Sequence, residues 1–210
     1  MMIAYPEAPA ADAMLAASQS NEHMLAFLNA RRSFPAAALK EPGPNPEEVS
    51  QIVRMAMRVP DHRRLAPWRV IVFGGEARAD AGEVFAARHL ELNPNATLEE
   101  LDRERRRFCC APLVIAVISN PDGSHKTPVW EQELSVGALC FNLLLVANAA
   151  GWAGTWLTGW MAFDRQISRE FGLHDHERFA GFIHLGTAKE KVKERPRPTT
   201  ESLLSYWPGK

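Results

Sequence analysis

The sequence predicts one folded domain in which helices are interleaved with a few short strands, and three observations lead there. Hydrophobic residues make up 46% and charged residues 23%, so the 210-residue chain has an ordinary globular balance and enough length for a substantial core. Uncharged β-branched runs such as LVIAVIS at 113–119 read as buried strands, while other segments carry apolar residues at helical spacing. No internal repeat or low-complexity linker divides the chain. Lys and Arg total 24 against 25 Asp and Glu, a formal net charge of −1, so no overall field draws nucleic acid or an anionic membrane and any cationic site must be local.

Each element follows in order. Residues 1–20 are Ala-rich with little periodicity and read as a loose N-terminal extension, without the basic and apolar regions of a signal peptide. NEHMLAFLNA (21–30) reads as a short helix, and EPGPNP (41–46) as a turn cluster. The clearest amphipathic helix comes next. Pro46 stands near its start, Glu47 and Glu48 complement the dipole in its first turn, and Val49, Ile52, Val53, Ala56 and Met57 share one face. Arg69–Phe73 is β-branched and closed by Gly74-Gly75. Residues 76–90 and 97–108 are expected to be helical, the second (LEELDRERRRF) a solvated face laced with charge pairs. After the strand at 113–119 and a loop at 121–128 comes a helix from about Trp130 to Ala150, ended by Gly151 as its C′ residue. A strand at 154–157, a helix near 164–171, a strand at 181–185 and a basic, Pro-rich tail at 189–210 complete the chain.

From Leu134 to Phe163 thirty residues lack any Asp, Glu, Lys, Arg or His, long enough to span a bilayer. Gly151, Gly154 and Gly159 interrupt the second half, so a buried helix followed by a strand uses the segment better. A helix apolar nearly all round is expected to be covered on every side, in a core or a subunit interface. The three cysteines, Cys109, Cys110 and Cys140, fit neither a disulfide framework nor a metal knuckle, and are expected to be buried thiols of a cytoplasmic protein.

No glycine-rich nucleotide loop, nucleophile elbow or HExxH helix appears, and the pairs His174/His176 and Glu131/Glu133 are weak as metal or hydrolase signals. Hard chemistry in such a chain falls to a bound cofactor. Two cationic segments suit one. Arg31-Arg32-Ser33 offers guanidinium, hydroxyl and backbone donors together, which suits a phosphate and a polyol chain, or simply a solvated helix end. RVPDHRRLAPW (58–68) sets Arg58, His62, Arg63 and Arg64 in a turn just before a strand.

Four segments in order, ARRSF, AMRVPDHRRLAPWRVIVF, HKTPVWEQELSVGALCFNLLLVANAAGWAGTWLTGW and FAGFIHLGTAKEK, resemble the FMN-dependent nitroreductase family, in particular its compact NAD(P)H nitroreductase subgroup. The resemblance runs from about Met24 to Tyr206. It implies an α+β fold, a three-layer α/β/α sandwich with a mainly antiparallel central sheet. It also implies a homodimer with two FMN sites shared between chains and the tail 189–210 wrapped on the partner. Arg31, Arg32 and Ser33 match the segment that holds the FMN phosphate and ribityl chain. Arg58 and His62 match a turn reaching the flavin of the neighbouring subunit, and Trp156, Leu157 and Thr158 a segment running past the ring. Val146, Ala147, Asn148, Ala149, Ala150 and Gly151 match a nicotinamide contact, although they serve equally well as helix core and cap.

The implied activity is a ping-pong oxidoreductase, with hydride from NAD(P)H passing through FMN to a nitroaromatic, quinone or similar acceptor. No catalytic side chain, metal, nucleic acid or membrane is required. The same fold and cofactor also serve reductive dehalogenation, oxygen-dependent flavin chemistry or flavin binding without turnover. Two departures stand out. Many members carry Pro-Ser-Ser-x-Asn-x-Gln-Pro-Trp where this chain has the more cationic Asp61, His62, Arg63 and Arg64, and a Glu-Gly pair where it has Leu157-Thr158-Gly159.

Overall fold

The computed structural model describes residues 4–16 and 18–208. Its centre is β3 (Leu113–Ser119), whose seven residues are all buried, as a continuous apolar run requires. β2 (Trp68–Gly74) pairs antiparallel with one side of it and β5 (Arg178–Ala188) with the other. β4 (Ala153–Leu157) and the two-residue β1 (Leu39–Lys40) also pair antiparallel with β5.

Alternation along β3 builds two cores. Leu113, Ile115 and Val117 face one layer of helices, α2 (Pro46–Ala56) and α5 (Val129–Ala149). Val114, Ala116 and Ile118 face the other, formed by α3 (Ala77–Leu92) and α6 (Arg165–Glu170). α4 (Leu98–Arg105) packs beside α3. The fold is an α+β three-layer α/β/α sandwich on an antiparallel sheet.

Local signals account for most boundaries. At α2, the Asn45 side chain accepts from the Glu48 backbone N–H at 3.0 Å while the Glu48 carboxylate accepts from the Asn45 N–H at 2.9 Å. Its apolar stripe buries Val49, Ile52 and Ala56, but Met57 falls just past the last turn and is exposed. At the end of α5 the Trp152 N–H reaches the Ala147 carbonyl at 2.8 Å and the Gly151 N–H reaches Asn148 at 3.0 Å. Gly151 has φ +88°, the left-handed residue that closes this motif.

Within one chain α2 and the sheet cover a single side of α5, through Val136, Leu139, Cys140, Leu143, Leu144 and Ala147, while Trp130, Leu134 and Phe141 lie open. Two expectations are revised. Of the cysteines only Cys140 is buried, its thiol pushed up to about 12 by that burial. Cys110 is half-buried and Cys109 exposed, since the turn after α4 carries successive side chains in different directions. The charged α4 run is not wholly solvated either. Glu104 is buried and accepts from Arg107 and from the Trp160 indole at 2.8 Å, and these bonds outweigh burial and keep its carboxyl below the ordinary range.

Candidate functional site

Two cavities lie at opposite ends of β4. α1 (Glu22–Ala30) ends where the Arg31 backbone turns extended, its N–H still bonded to the Phe27 carbonyl. Arg31 and Arg32 thereby enter a cavity of about 520 Å³, walled on the far side by Asn148, Gly151, Trp152 and Ala153 and closed by Thr187 of β5 and by Lys191 and Glu194 of the tail. Ser33 is half-buried beside this cavity but does not line it. The Arg31 guanidinium sits 5.7 Å from the centre of the Phe141 ring. Burial, and then the guanidinium groups of Arg197 and Arg195, pull its pKa below the usual arginine value. Its Nε and the Trp152 Nε1 are buried donors without a partner.

This is a cavity with more positive charge than its own acids balance and with unsatisfied N–H groups. Lys191 lines it, and Arg195 and Arg197, the latter paired with Glu194 at 3.1 Å, stand near enough to act on Arg31; sequence reasoning missed all three. Their only signal was the alternation of basic residues in KEKVKERPR, in a stretch read simply as a surface-wrapping tail.

The segment 146–151 divides by helical period. Asn148 and Gly151 reach the cavity, Ala147 points into the core, and Val146 packs against that core. Ala149 and Ala150 do not line it.

Among the described residues β5 is the only strand paired with β4; the Phe34 N–H also donates to the Gly154 carbonyl at 3.0 Å, and β4 runs about 13 Å from Ala153 to Leu157. At its far end Trp156 and Thr158 line a cavity of about 780 Å³ together with Ser119, Glu133, Arg165 and Arg178. Leu157 lies open on the strand. The Trp156 indole donates to the Ala180 carbonyl at 3.2 Å. Its placement depends on Gly181, where φ is +149° and a Cβ would stand 2.1 Å from Trp156 Nε1. Gly181→Ala is therefore expected to displace Trp156 and cost about 1–2 kcal/mol. A shift in tryptophan emission together with a lower denaturation midpoint would register it, and an unchanged emission spectrum would refute it.

Arg58 and His62 line neither cavity within one chain. Arg58 is exposed, and His62 Nδ1 stands 2.7 Å from the Glu131 carboxylate at the start of α5. The turn they belong to has an unusual backbone. Arg63 (φ +69°), Arg64 (φ +55°) and Ala66 (φ +47°) are the non-glycine residues in the left-handed region among the described residues. Each such residue costs about 1–2 kcal/mol. The Asp61 carboxylate holds the turn by accepting from the N–H groups of Leu65 at 3.2 Å and Ala66 at 2.8 Å. The structure thus brings Arg31, Arg32, Asn148 and Gly151 together, sets Trp156–Thr158 at the other end of one strand, and leaves Arg58 and His62 on a separate surface beside the open face of α5.

Comparison with known proteins fits this geometry. A sequence profile described as Nitroreductase family matches residues 28–187. The chain is 33% identical over 178 residues to the Escherichia coli K12 protein named "Putative NAD(P)H nitroreductase YdjA", covering 83% of this chain and 95% of that one. A Haemophilus influenzae protein named "Putative NAD(P)H nitroreductase" is 31% identical over 184 residues, covering 87% and 98%. Among solved structures, a nitroreductase-like family protein from Bacillus cereus superposes with a TM-score of 0.76 at 19% identity, covering 94% of this chain and 100% of that one. The nitroreductase CinD of Lactococcus lactis, solved with nicotinic acid, gives 0.69 at 18% identity, covering 88% and 99%. The chain therefore belongs to the nitroreductase family and is an oxidoreductase of that kind.

Proposed function

We propose that the protein binds FMN in a homodimer and uses it to move electrons from NAD(P)H to a nitroaromatic, quinone or similar acceptor by a ping-pong mechanism. The observation that carries this reading is the gathering of Arg31, Arg32 and Lys191 against the single carboxylate of Glu194 in one cavity, with Arg195 and Arg197 near enough to act on Arg31, at one end of a strand whose other end presents Trp156–Thr158. A phosphate suits the guanidinium forks, and phosphate or ribityl oxygens would satisfy the partnerless Nε of Arg31 and Nε1 of Trp152. FMN, when bound, supplies the two-electron chemistry, accepting hydride from the donor and releasing it to the acceptor.

The chain's own residues bind and orient. Arg31 and Arg32 with the tail arginines hold the anionic end. β4 would run beside the cofactor, and Trp156 would cover part of the ring. Arg58 would bring positive charge from the neighbouring chain, with the His62 ring beside it. The dimer is supported by the open apolar face of α5, with Trp130, Leu134 and Phe141, next to the turn that carries Arg58 and His62. The tail, where Leu203, Tyr206 and Trp207 are exposed, is assigned to the partner's surface, and the working place to the cytoplasm.

The test is purification followed by a visible spectrum and identification of the released cofactor. A colourless protein that takes up no FMN would sink the reading. Arg31→Ala and Arg58→Ala, made separately, are each expected to weaken FMN binding about 10- to 100-fold, the worth of a charge-assisted contact. Wild-type affinity in both would overturn the site assignment while leaving the fold intact.

A further inference from the structure

We propose that Arg63 and Arg64 recognise the 2′-phosphate of NADPH and make it, rather than NADH, the preferred electron donor. The inference rests on the NAD(P)H reading above and names two specificity-determining residues within it. Both side chains are exposed, and neither has an acidic partner among the described residues. The nearest acids are otherwise engaged: Asp61 accepts from the Leu65 and Ala66 backbone, and Glu131 faces His62.

Unpaired surface arginines are common, but these two occupy left-handed backbone that glycine adopts without strain. The turn that displays them is fastened throughout. Ser135 Oγ donates to the Pro60 carbonyl at 2.8 Å, the Trp68 N–H to the Ala66 carbonyl at 2.7 Å, and the Asn120 N–H to the Pro67 carbonyl at 2.9 Å. Two guanidinium forks are thus carried on a turn whose backbone loses little freedom when an anion arrives.

Location selects the anion. The FMN phosphate already has its own cations at Arg31 and Arg32, at the cavity beside Trp152. Arg63 and Arg64 line none of the described cavities. They stand on the turn of Arg58 and His62, which meets the start of α5 through His62 and Glu131. On the reading above, that is the rim of the partner's flavin site. A donor that inserts its nicotinamide leaves its adenosine end at such a rim. NADPH and NADH differ there by one phosphate, the group whose geometry arginine matches bidentately.

The experiment compares wild type with the Arg63→Ser/Arg64→Ser double variant in two ways. The first is kcat/KM for NADPH and for NADH with a quinone acceptor at low ionic strength. The second is calorimetric binding of 2′,5′-ADP and 5′-AMP, which needs no flavin. Wild type is expected to favour NADPH and to bind 2′,5′-ADP more tightly than 5′-AMP. The double variant is expected to lose about 10- to 100-fold on NADPH and on 2′,5′-ADP, with FMN content unchanged. Equal use of both donors by wild type, an equal loss on both in the variant, or 2′,5′-ADP binding that survives the substitutions would each overturn the proposal. Protein without flavin would overturn the functional reading, while the 2′,5′-ADP titration would still decide the arginines. Arg64→Gly separates recognition from folding: thermal stability is expected to hold or rise as NADPH efficiency falls, and a fall in both would assign Arg64 a purely structural role.

Discussion

Phe108→Ala is expected to lower the free energy of unfolding by about 4 kcal/mol, the range for truncating a fully buried phenylalanine. Phe108 is 1% exposed. Its ring centre lies 5.1 Å from Phe73 of β2, 4.9 Å from Phe85 of α3 and 5.0 Å from Phe182 of β5. The ring therefore joins two strands and a helix through tilted and edge-to-face contacts, which add to the area buried. Neighbours from three elements cannot all move inward to refill the space, so a cavity should persist. Equilibrium denaturation at a set FMN concentration measures the effect. Phe163→Ala, at a ring 76% exposed, is the control and should change stability little. A loss under about 1 kcal/mol at Phe108 would contradict this account of the second core.

Arg69→Met is expected to cost about 3 kcal/mol at neutral pH, the lower end for stranding one partner of a buried ion pair. Glu177 is 1% exposed, and its two oxygens accept from Arg69 Nε and Nη2 at 2.7 Å each. It also accepts from the His174 N–H at 2.8 Å, while Arg69 donates in addition to the Gly172 carbonyl at 2.8 Å. The bonds from Arg69, outweighing burial, hold the Glu177 carboxyl down to about 2 against an ordinary 4.5. A carboxyl whose pKa is depressed in the folded state contributes stability above its unfolded value and loses it as pH falls through the folded one. The difference between wild type and Arg69→Met should thus be full above about pH 4.5 and shrink toward pH 2. Arg69→Met combined with Glu177→Leu should recover much of the loss, because the stranded charge is gone. A pH-independent difference, or no recovery in the double variant, would show that Arg69 acts through packing alone.

Much of the architecture was legible in the sequence because its signals are local. The capping pair Asn45 and Glu48, the continuous apolar run 113–119 and the Gly151 cap each act within a few residues, and each marks its element within a residue or two. β1 went unread, since two residues have no period, and β5 extends beyond 181–185 at both ends because its partners rather than its composition set its length.

The candidate site was legible only in pieces. Arg31-Arg32-Ser33 stood out by charge, yet nothing local says that Arg195 and Arg197, more than 160 residues away, depress the pKa of Arg31. RVPDHRRLAPW posed one question about a cluster of cations. The backbone separates them, with His62 against Glu131 and Arg63 and Arg64 exposed in left-handed conformations on a turn that Asp61 fastens.

By itself the sequence determined most helices, the central strands and the residue types suited to a phosphate, because periodicity and capping need only near neighbours. The tertiary structure alone decided which cations share a cavity, which strand β4 pairs with, which face of α5 remains uncovered and that the arginines of the turn stand exposed. Those properties depend on which distant segments meet, and long-range packing and backbone strain leave no periodic trace in the chain.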